Sequence, residues 1–249
     1  RATAVVAARL GLKSLLVLEG HANESDWSKG NAFIDRFVGA EIDWQEQEGF
    51  IAKRLDAAAE RLRRAGRKPY VIPVGGSNEL GVWGYIDAAR EAKEQSDAMG
   101  LKIDRIVCTT GSCGTHVGLL LGFKLIGWKV RLTGIGVSST AQKKTVWARG
   151  LIDRTVAKFN LPVTITPGDL EIHDYTGAGY AKSRPEELAT ITDAARRGGL
   201  VLDPVYTGKA YFGMMDLANR GLISPDETVL FFHTGGLLGL LAKSEIFTL

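Results

Sequence analysis

Residues Thr109 to His116 read Thr-Thr-Gly-Ser-Cys-Gly-Thr-His and directly follow the run Ile103-Asp104-Arg105-Ile106-Val107-Cys108. A helix-compatible apolar stretch, Val117-Gly118-Leu119-Leu120-Leu121-Gly122-Phe123, comes next. Strand, glycine-rich turn and helix in immediate succession leave several N–H groups without partners at a helix N-terminus, beside two or three hydroxyls. That is a place for a phosphate group. The loop lacks the Lys-Ser/Thr ending of a nucleoside-triphosphate loop, and Gly111 and Gly114 do not match the dinucleotide spacing G-x-G-x-x-G. A lone phosphate monoester suits it better. The same letters also suit a plain glycine-rich turn after a core strand, so the rest of the chain has to decide.

Outward from this loop, helices and strands alternate. Helices are predicted over 2–10, 28–38, 48–65, 80–98, 142–159, 185–197 and 209–219. Strands are predicted over 14–19, 40–44, 69–74, 130–137, 170–173, 200–203 and 228–233, with a polar loop over 21–26. Near-continuous apolar strands between helices argue for parallel sheets covered on both faces. The two glycines of Gly75-Gly76-Ser77-Asn78 mark a change of direction and set the boundary between a small α/β domain, 1–76, and a large one, 77–249. In such sheets ligands bind beyond the carboxyl ends of the strands. Four ends carry polar or glycine-rich residues: 75–78, 109–115, 203–209 and 234–236. They point to a single site, expected in the cleft between the two halves.

Composition narrows the classes. The 249 residues are 45% hydrophobic and 24% charged with a net charge of +3, too small a charge to argue for nucleic acid. Arg61, Arg63, Arg64, Arg67 and Lys68 cluster where a predicted helix ends, which favours the helix dipole and a solvated face. No apolar run has the length of a membrane span. The only cysteines, Cys108 and Cys113, form neither a disulfide framework nor a four-ligand metal pattern, so no metal is expected and a reducing, cytoplasmic setting is. Arg1 falls inside a helical pattern, and the expectation is that an N-terminal part of the small domain is missing.

Four segments together carry a resemblance. They are residues 69–78 (Pro-Tyr-Val-Ile-Pro-Val-Gly-Gly-Ser-Asn), 110–116 (Thr-Gly-Ser-Cys-Gly-Thr-His), 202–210 (Leu-Asp-Pro-Val-Tyr-Thr-Gly-Lys-Ala) and 233–236 (His-Thr-Gly-Gly). In this order they resemble the D-cysteine desulfhydrase and 1-aminocyclopropane-1-carboxylate deaminase family, across nearly the whole chain. The resemblance implies pyridoxal 5′-phosphate as cofactor and an α/β fold of two parallel-sheet, three-layer domains, tryptophan-synthase-β-like (fold type II). It implies that Thr110, Gly111, Ser112, Cys113, Gly114 and Thr115 hold the cofactor phosphate and that Thr234 faces the pyridine nitrogen. Tyr206 is then a proton-transfer group over the substrate and Tyr180 a second tyrosine of the pocket. An alcohol at Thr234, in place of a carboxylate, tempers the electron sink and suits elimination.

Other readings of single residues stay open from sequence. Tyr180 and Tyr206 also fit a core ring with a bonded hydroxyl, and Thr234 a strand-end cap. Lys209 reads as a helix-start or surface lysine, and His116 and His233 as makers of local hydrogen bonds. The family's Gly-Asn-Lys segment, whose lysine carries the cofactor, is not in the sequence. The chain alone is therefore expected to be inactive.

The implied reaction is β-elimination. The α-proton of a small amino acid is removed by the absent lysine or Tyr206, the β-substituent leaves, and pyruvate and ammonia form. D-Cysteine, releasing hydrogen sulfide, is the first choice and cysteate, releasing sulfite, its rival. Thr207, where ring-opening members have glutamate, speaks against the cyclopropane substrate. The alternatives are a non-catalytic binding relative and a Rossmann-type nucleotide enzyme, the latter lacking its fingerprint here. A homodimer is expected, with neither nucleic acid nor membrane as partner.

Overall fold

The computed structural model describes residues 1–20, 27–45 and 49–247. The polar loop expected over 21–26, and the start of the helix expected at 48, lie outside them. Two compact units emerge, Arg1–Val74 with Leu238–Leu249 and Gly75–Leu237. The break comes two residues before the expected one, and the final segment joins the smaller unit.

The smaller unit contains α1 (Ala2–Arg9), β1 (Leu15–Glu19), α2 (Gly30–Phe37), β2 (Glu41–Gln45) and α3 (Ile51–Arg64). β1 and β2 pair in parallel, with Leu15 opposite Glu41 and Glu19 opposite Gln45. Its C-terminal segment lies against α2, because a Cβ on Gly30 would stand 2.7 Å from Ala242 Cβ. The strand expected over 69–74 is absent from the ladders, and a 3₁₀ turn at Val74–Gly76 closes that stretch. Pro69 and Pro73 have no N–H to donate, which explains why an apolar run fails to become a strand. Residues 200–203 likewise enter no ladder.

The larger unit is built on a four-stranded parallel sheet. β3 (Arg105–Thr110) lies between β4 (Arg131–Gly136) and β6 (Val229–Phe232), and β5 (Glu171–Asp174) lies beyond β4. The helices α4 (Trp83–Ala98), α5 (Gly114–Leu125), α6 (Ala141–Phe159), α7 (Pro185–Gly198) and α8 (Thr207–Asn219) complete its main elements, followed by the short α9 (Leu237–Leu241) at the join. Alternation of side chains makes the layers. Ile106, Cys108 and Leu132 pack with Val117, Leu121 and Ile152 on one face, while Val107, Ile135 and Val137 pack with Ala210 and Leu217 on the other. Gly118 and Gly122 let α5 press on α4, for their Cβ atoms would lie 2.5 Å from Tyr85 Cβ and 2.5 Å from Ala89 Cβ.

Arg105 anchors the end of β3 away from the loop. It is fully buried and donates to Glu227 at 2.5 and 3.1 Å, Glu171 at 3.0 Å and Thr133 Oγ1 at 2.6 Å. Burial penalises its charge, yet the two glutamates hold its pKa above the ordinary value. Removing one member of such a network leaves unpaired charge behind. Arg105→Ala is expected to cost about 3–5 kcal/mol of stability, measured by denaturant unfolding.

Candidate functional site

The carboxyl end of β3 leads into a turn whose backbone is prepared for an anion. α5 begins at Gly114, so the N–H groups of Gly114, Thr115 and His116 have no acceptor one turn back. Cys113 caps this helix with φ 72°, a left-handed conformation that costs a non-glycine residue about 1–2 kcal/mol. A left-handed residue in such a turn gathers successive N–H groups around one concavity. Burial pushes the Cys113 thiol above its ordinary pKa, and Sγ donates to the Lys144 carbonyl at 3.5 Å. It is a protonated, structural cysteine.

The other loop residues divide their work. Thr110 is fully buried, with its hydroxyl in the core 3.5 Å from His116 Nδ1. Ser112 is exposed and shares a 2.7 Å hydrogen bond with the Ser77 hydroxyl. Gly114 is a packing glycine, because a Cβ there would lie 2.5 Å from Ser77 Oγ. Thr115 stands half-buried in the first turn of α5. Above Gly111 the space is open: a Cβ there would find only Tyr206 Cε1 within reach, at 3.7 Å. Burial lowers the His116 pKa to about 4, so this histidine is neutral.

A second loop is organised by Asp203, which the sequence reading quoted without a role. Its buried carboxylate accepts from the N–H groups of Val205 at 2.8 Å, Tyr206 at 2.9 Å and Thr207 at 2.8 Å, and from the Thr207 hydroxyl at 2.7 Å. These bonds start α8 and fix Tyr206 at its N-cap. Gly236, φ 122°, crosses so closely that a Cβ would lie 2.5 Å from Asp203 Oδ1. Thr234 is exposed just past β6. His233 braces that turn, donating from Nε2 to Val201 O at 3.0 Å and accepting at Nδ1 from Gly235 N at 3.1 Å.

The two tyrosines meet. Their hydroxyls are hydrogen-bonded to each other, and the rings stand 5.9 Å apart at 65°. Burial first, then the bond from Tyr180, raises the Tyr206 pKa well above that of an ordinary phenol. The surface reading of Lys209 is overturned. It does stand in the first turn of α8, but it is fully buried and donates to Thr176 O at 2.7 Å and Gly179 O at 2.8 Å, with the buried Glu187 at 4.0 Å. Carbonyls and a carboxylate satisfy its charge, and they stake down the loop that carries Tyr180. Lys144 also escaped the sequence reading. It is fully buried, and its ammonium donates to Gly111 O at 2.6 Å and Ser138 Oγ at 3.0 Å. The one signal for it in the sequence is a lysine in the opening turn of a predicted helix, where the dipole opposes a cation.

A family model described as "Pyridoxal-phosphate dependent enzyme" matches residues 1–235. The chain belongs to that family. A putative 1-aminocyclopropane-1-carboxylate deaminase of Pyrococcus abyssi is 38% identical over 98% of this chain and 72% of its own length. The mitochondrial bifunctional D-cysteine desulfhydrase/1-aminocyclopropane-1-carboxylate deaminase of Arabidopsis thaliana is 38% identical over 98% of this chain and 62% of its own. A crystal structure of an ACC deaminase homologue superposes with a TM-score of 0.88 at 36% identity, covering 98% of this chain and 72% of that one. The parallel-sheet architecture is that of fold type II, the chain groups with pyridoxal-phosphate-dependent lyases, and its cofactor is pyridoxal 5′-phosphate. The residues present fit that cofactor. The turn at Cys113 offers an anion cradle, Gly111 leaves open space above it, and a buried cation stands behind.

Proposed function

We propose that this chain supplies the phosphate cup and the proton-donating wall of an enzyme that performs β-elimination on D-cysteine, giving pyruvate, ammonia and hydrogen sulfide. When bound, the cofactor supplies the electron sink for the substrate α-carbon. The turn of residues 110–115 holds its phosphate, chiefly through the amides of 112–115, Thr234 meets its ring nitrogen, and Tyr206 works over the substrate with Tyr180 as its hydrogen-bond partner. The observation that carries this reading is the hydrogen-bonded tyrosine pair, with the Tyr206 ring edge, Cε1, 3.7 Å from where a Cβ on Gly111 would stand. A raised pKa keeps Tyr206 protonated through the neutral range, so it serves as a proton donor and not as the base.

Substrate choice rests on Thr207. It is short, neutral and fully buried, and its hydroxyl is engaged by Asp203. Ring opening is the second reading, favoured by the deaminase names of the relatives. The relatives described give no support to cysteate, which is not carried further. In an enzyme combining this chain with a cofactor-carrying lysine, pyruvate and sulfide should form from D-cysteine, with little 2-oxobutanoate from the cyclopropane substrate. The reverse order of rates overturns the assignment. The proposed assembly is a homodimer, to be tested by sedimentation velocity. Among the described residues no helix is long and apolar enough to cross a membrane.

The chain by itself should bind the cofactor without a covalent link and turn nothing over. Its buried lysines, Lys144 and Lys209, both have their ammonium groups engaged by carbonyl oxygens. Borohydride reduction of the chain with cofactor, followed by peptide mapping, is expected to trap nothing at a single site. A label fixed on Lys209, Lys144 or any other single lysine is the contrary result.

A further inference from the structure

We propose that Lys144 is a positioning residue of the phosphate cup, its buried ammonium fixing the Gly111 peptide and balancing the charge of the bound phosphate. This rests on reading residues 110–115 as the phosphate site.

The geometry begins with one peptide unit. In a planar trans peptide the C=O and the following N–H point in opposite directions. Lys144 Nζ lies 2.6 Å from Gly111 O, so the N–H of Ser112 is turned away from the lysine. The same residue grips the loop a second time, since Cys113 Sγ donates to Lys144 O at 3.5 Å. These two contacts bracket Ser112 and hold Cys113, the residue whose left-handed backbone shapes the cradle. Loss of the cation frees the peptide to turn its carbonyl oxygen toward the anion.

Charge gives the second argument. Lys144 is the fourth residue of α6, near the positive end of that helix dipole, and it is fully buried. Its two hydrogen-bond acceptors, Gly111 O and Ser138 Oγ, are neutral, and among the described residues no carboxylate lies within ion-pair distance of it. Burial lowers its pKa, with Cys113 and Asp174 acting in the other direction. Arg105 and Lys209, the other fully buried cations, each have a glutamate within 4.0 Å. A buried cation that lacks a paired carboxylate is costly unless an anion joins it. A phosphate in the adjoining cradle supplies that anion.

Lys144→Met keeps the length and apolar stem of the side chain and removes the charge. Binding of pyridoxal phosphate and of pyridoxal, which lacks the phosphate, should be compared by fluorescence titration of the chain, with melting temperatures in parallel. Lys144→Met is expected to weaken pyridoxal phosphate by about 30-fold, leave pyridoxal within about threefold, and melt no lower than the parent without ligand. Lys144→Arg should restore most of the loss. Equal weakening of both ligands with a lowered melting temperature would mean a merely structural lysine and overturn the proposal, as would unchanged pyridoxal phosphate binding. Lys144→Gln keeps a donor for Gly111 without the charge and decides the matter should methionine not be accommodated. Gly111→Val separates the two levels. If it leaves pyridoxal phosphate binding intact, the phosphate reading of the loop has failed; if it abolishes binding while Lys144→Met does not, only the role of Lys144 has.

Discussion

Gly111→Val is expected to weaken cofactor binding by about 100-fold, which corresponds to losing two charge-assisted hydrogen bonds at about 1.5 kcal/mol each. Gly111 does not have a left-handed φ, so valine does not strain the backbone there. Its methyl groups instead enter the open space beside Tyr206 Cε1, which is where the proposed phosphate site needs room. Gly114→Val should reach the same loss by another route. Its Cβ would be driven to 2.5 Å from Ser77 Oγ, so the Ser77–Ser112 contact must give way and stability should fall as well. Cofactor content after dialysis, read by absorbance, tests both variants, and melting temperatures separate the two routes. Full cofactor retention by both would remove the phosphate assignment.

The loop and its helix were legible because they depend on local chemistry. A core strand, two glycines and hydroxyl-bearing residues before an apolar run dictate a turn with free N–H groups wherever the chain goes. The parallel sheet of the larger unit was legible too, since β3, β4, β5 and β6 are short runs separated by helical stretches, and β3 and β6 carry runs of apolar residues. What failed was the apolar run at 69–74, where Pro69 and Pro73 deny the ladder its donors. Buried charge was the other failure. Lys209 reads as a helix-start or surface lysine and no pattern in the sequence marks Arg105 or Lys144 as buried cations, because their partners come from distant parts of the sequence: the carbonyls of Thr176 and Gly179, Glu227 and Glu171, and the Gly111 carbonyl. Periodicity reports burial only for apolar side chains. A cation that is buried because distant oxygens satisfy it leaves no pattern of its own. Asp203 shows the intermediate case: the sequence marks the segment, but only the fold reveals that its carboxylate gathers three N–H groups and thereby fixes Tyr206.

Tyr206→Phe should lower turnover by about 10²–10⁴-fold in the enzyme with its cofactor-carrying lysine, the range for losing a positioned acid or base, while cofactor affinity changes little. The ring that faces Gly111 is kept in this variant, and only the hydroxyl shared with Tyr180 is lost. Tyr180→Phe should have a smaller effect, since it removes the partner and leaves the donor in place. The pH dependence has a definite sign. Burial and the bond from Tyr180 both disfavour the phenolate of Tyr206, so its proton is retained to higher pH than in an ordinary phenol. As an acid it therefore imposes no alkaline fall in kcat below the usual phenol range near pH 10. Tyr180→Phe takes away one of the causes that raise this pKa, so any alkaline limb should move to lower pH in that variant. Equal kcat in Tyr206→Phe and the parent, or an acid limb that vanishes in Tyr206→Phe, would show that the hydroxyl does not donate the proton, while an alkaline limb near neutrality that vanishes in that variant would show that its pKa is not raised. The same measurements with pyridoxal phosphate binding as a control keep the tyrosine's chemistry separate from the cup, because the proposed phosphate contacts are backbone amides that a missing phenol oxygen does not touch.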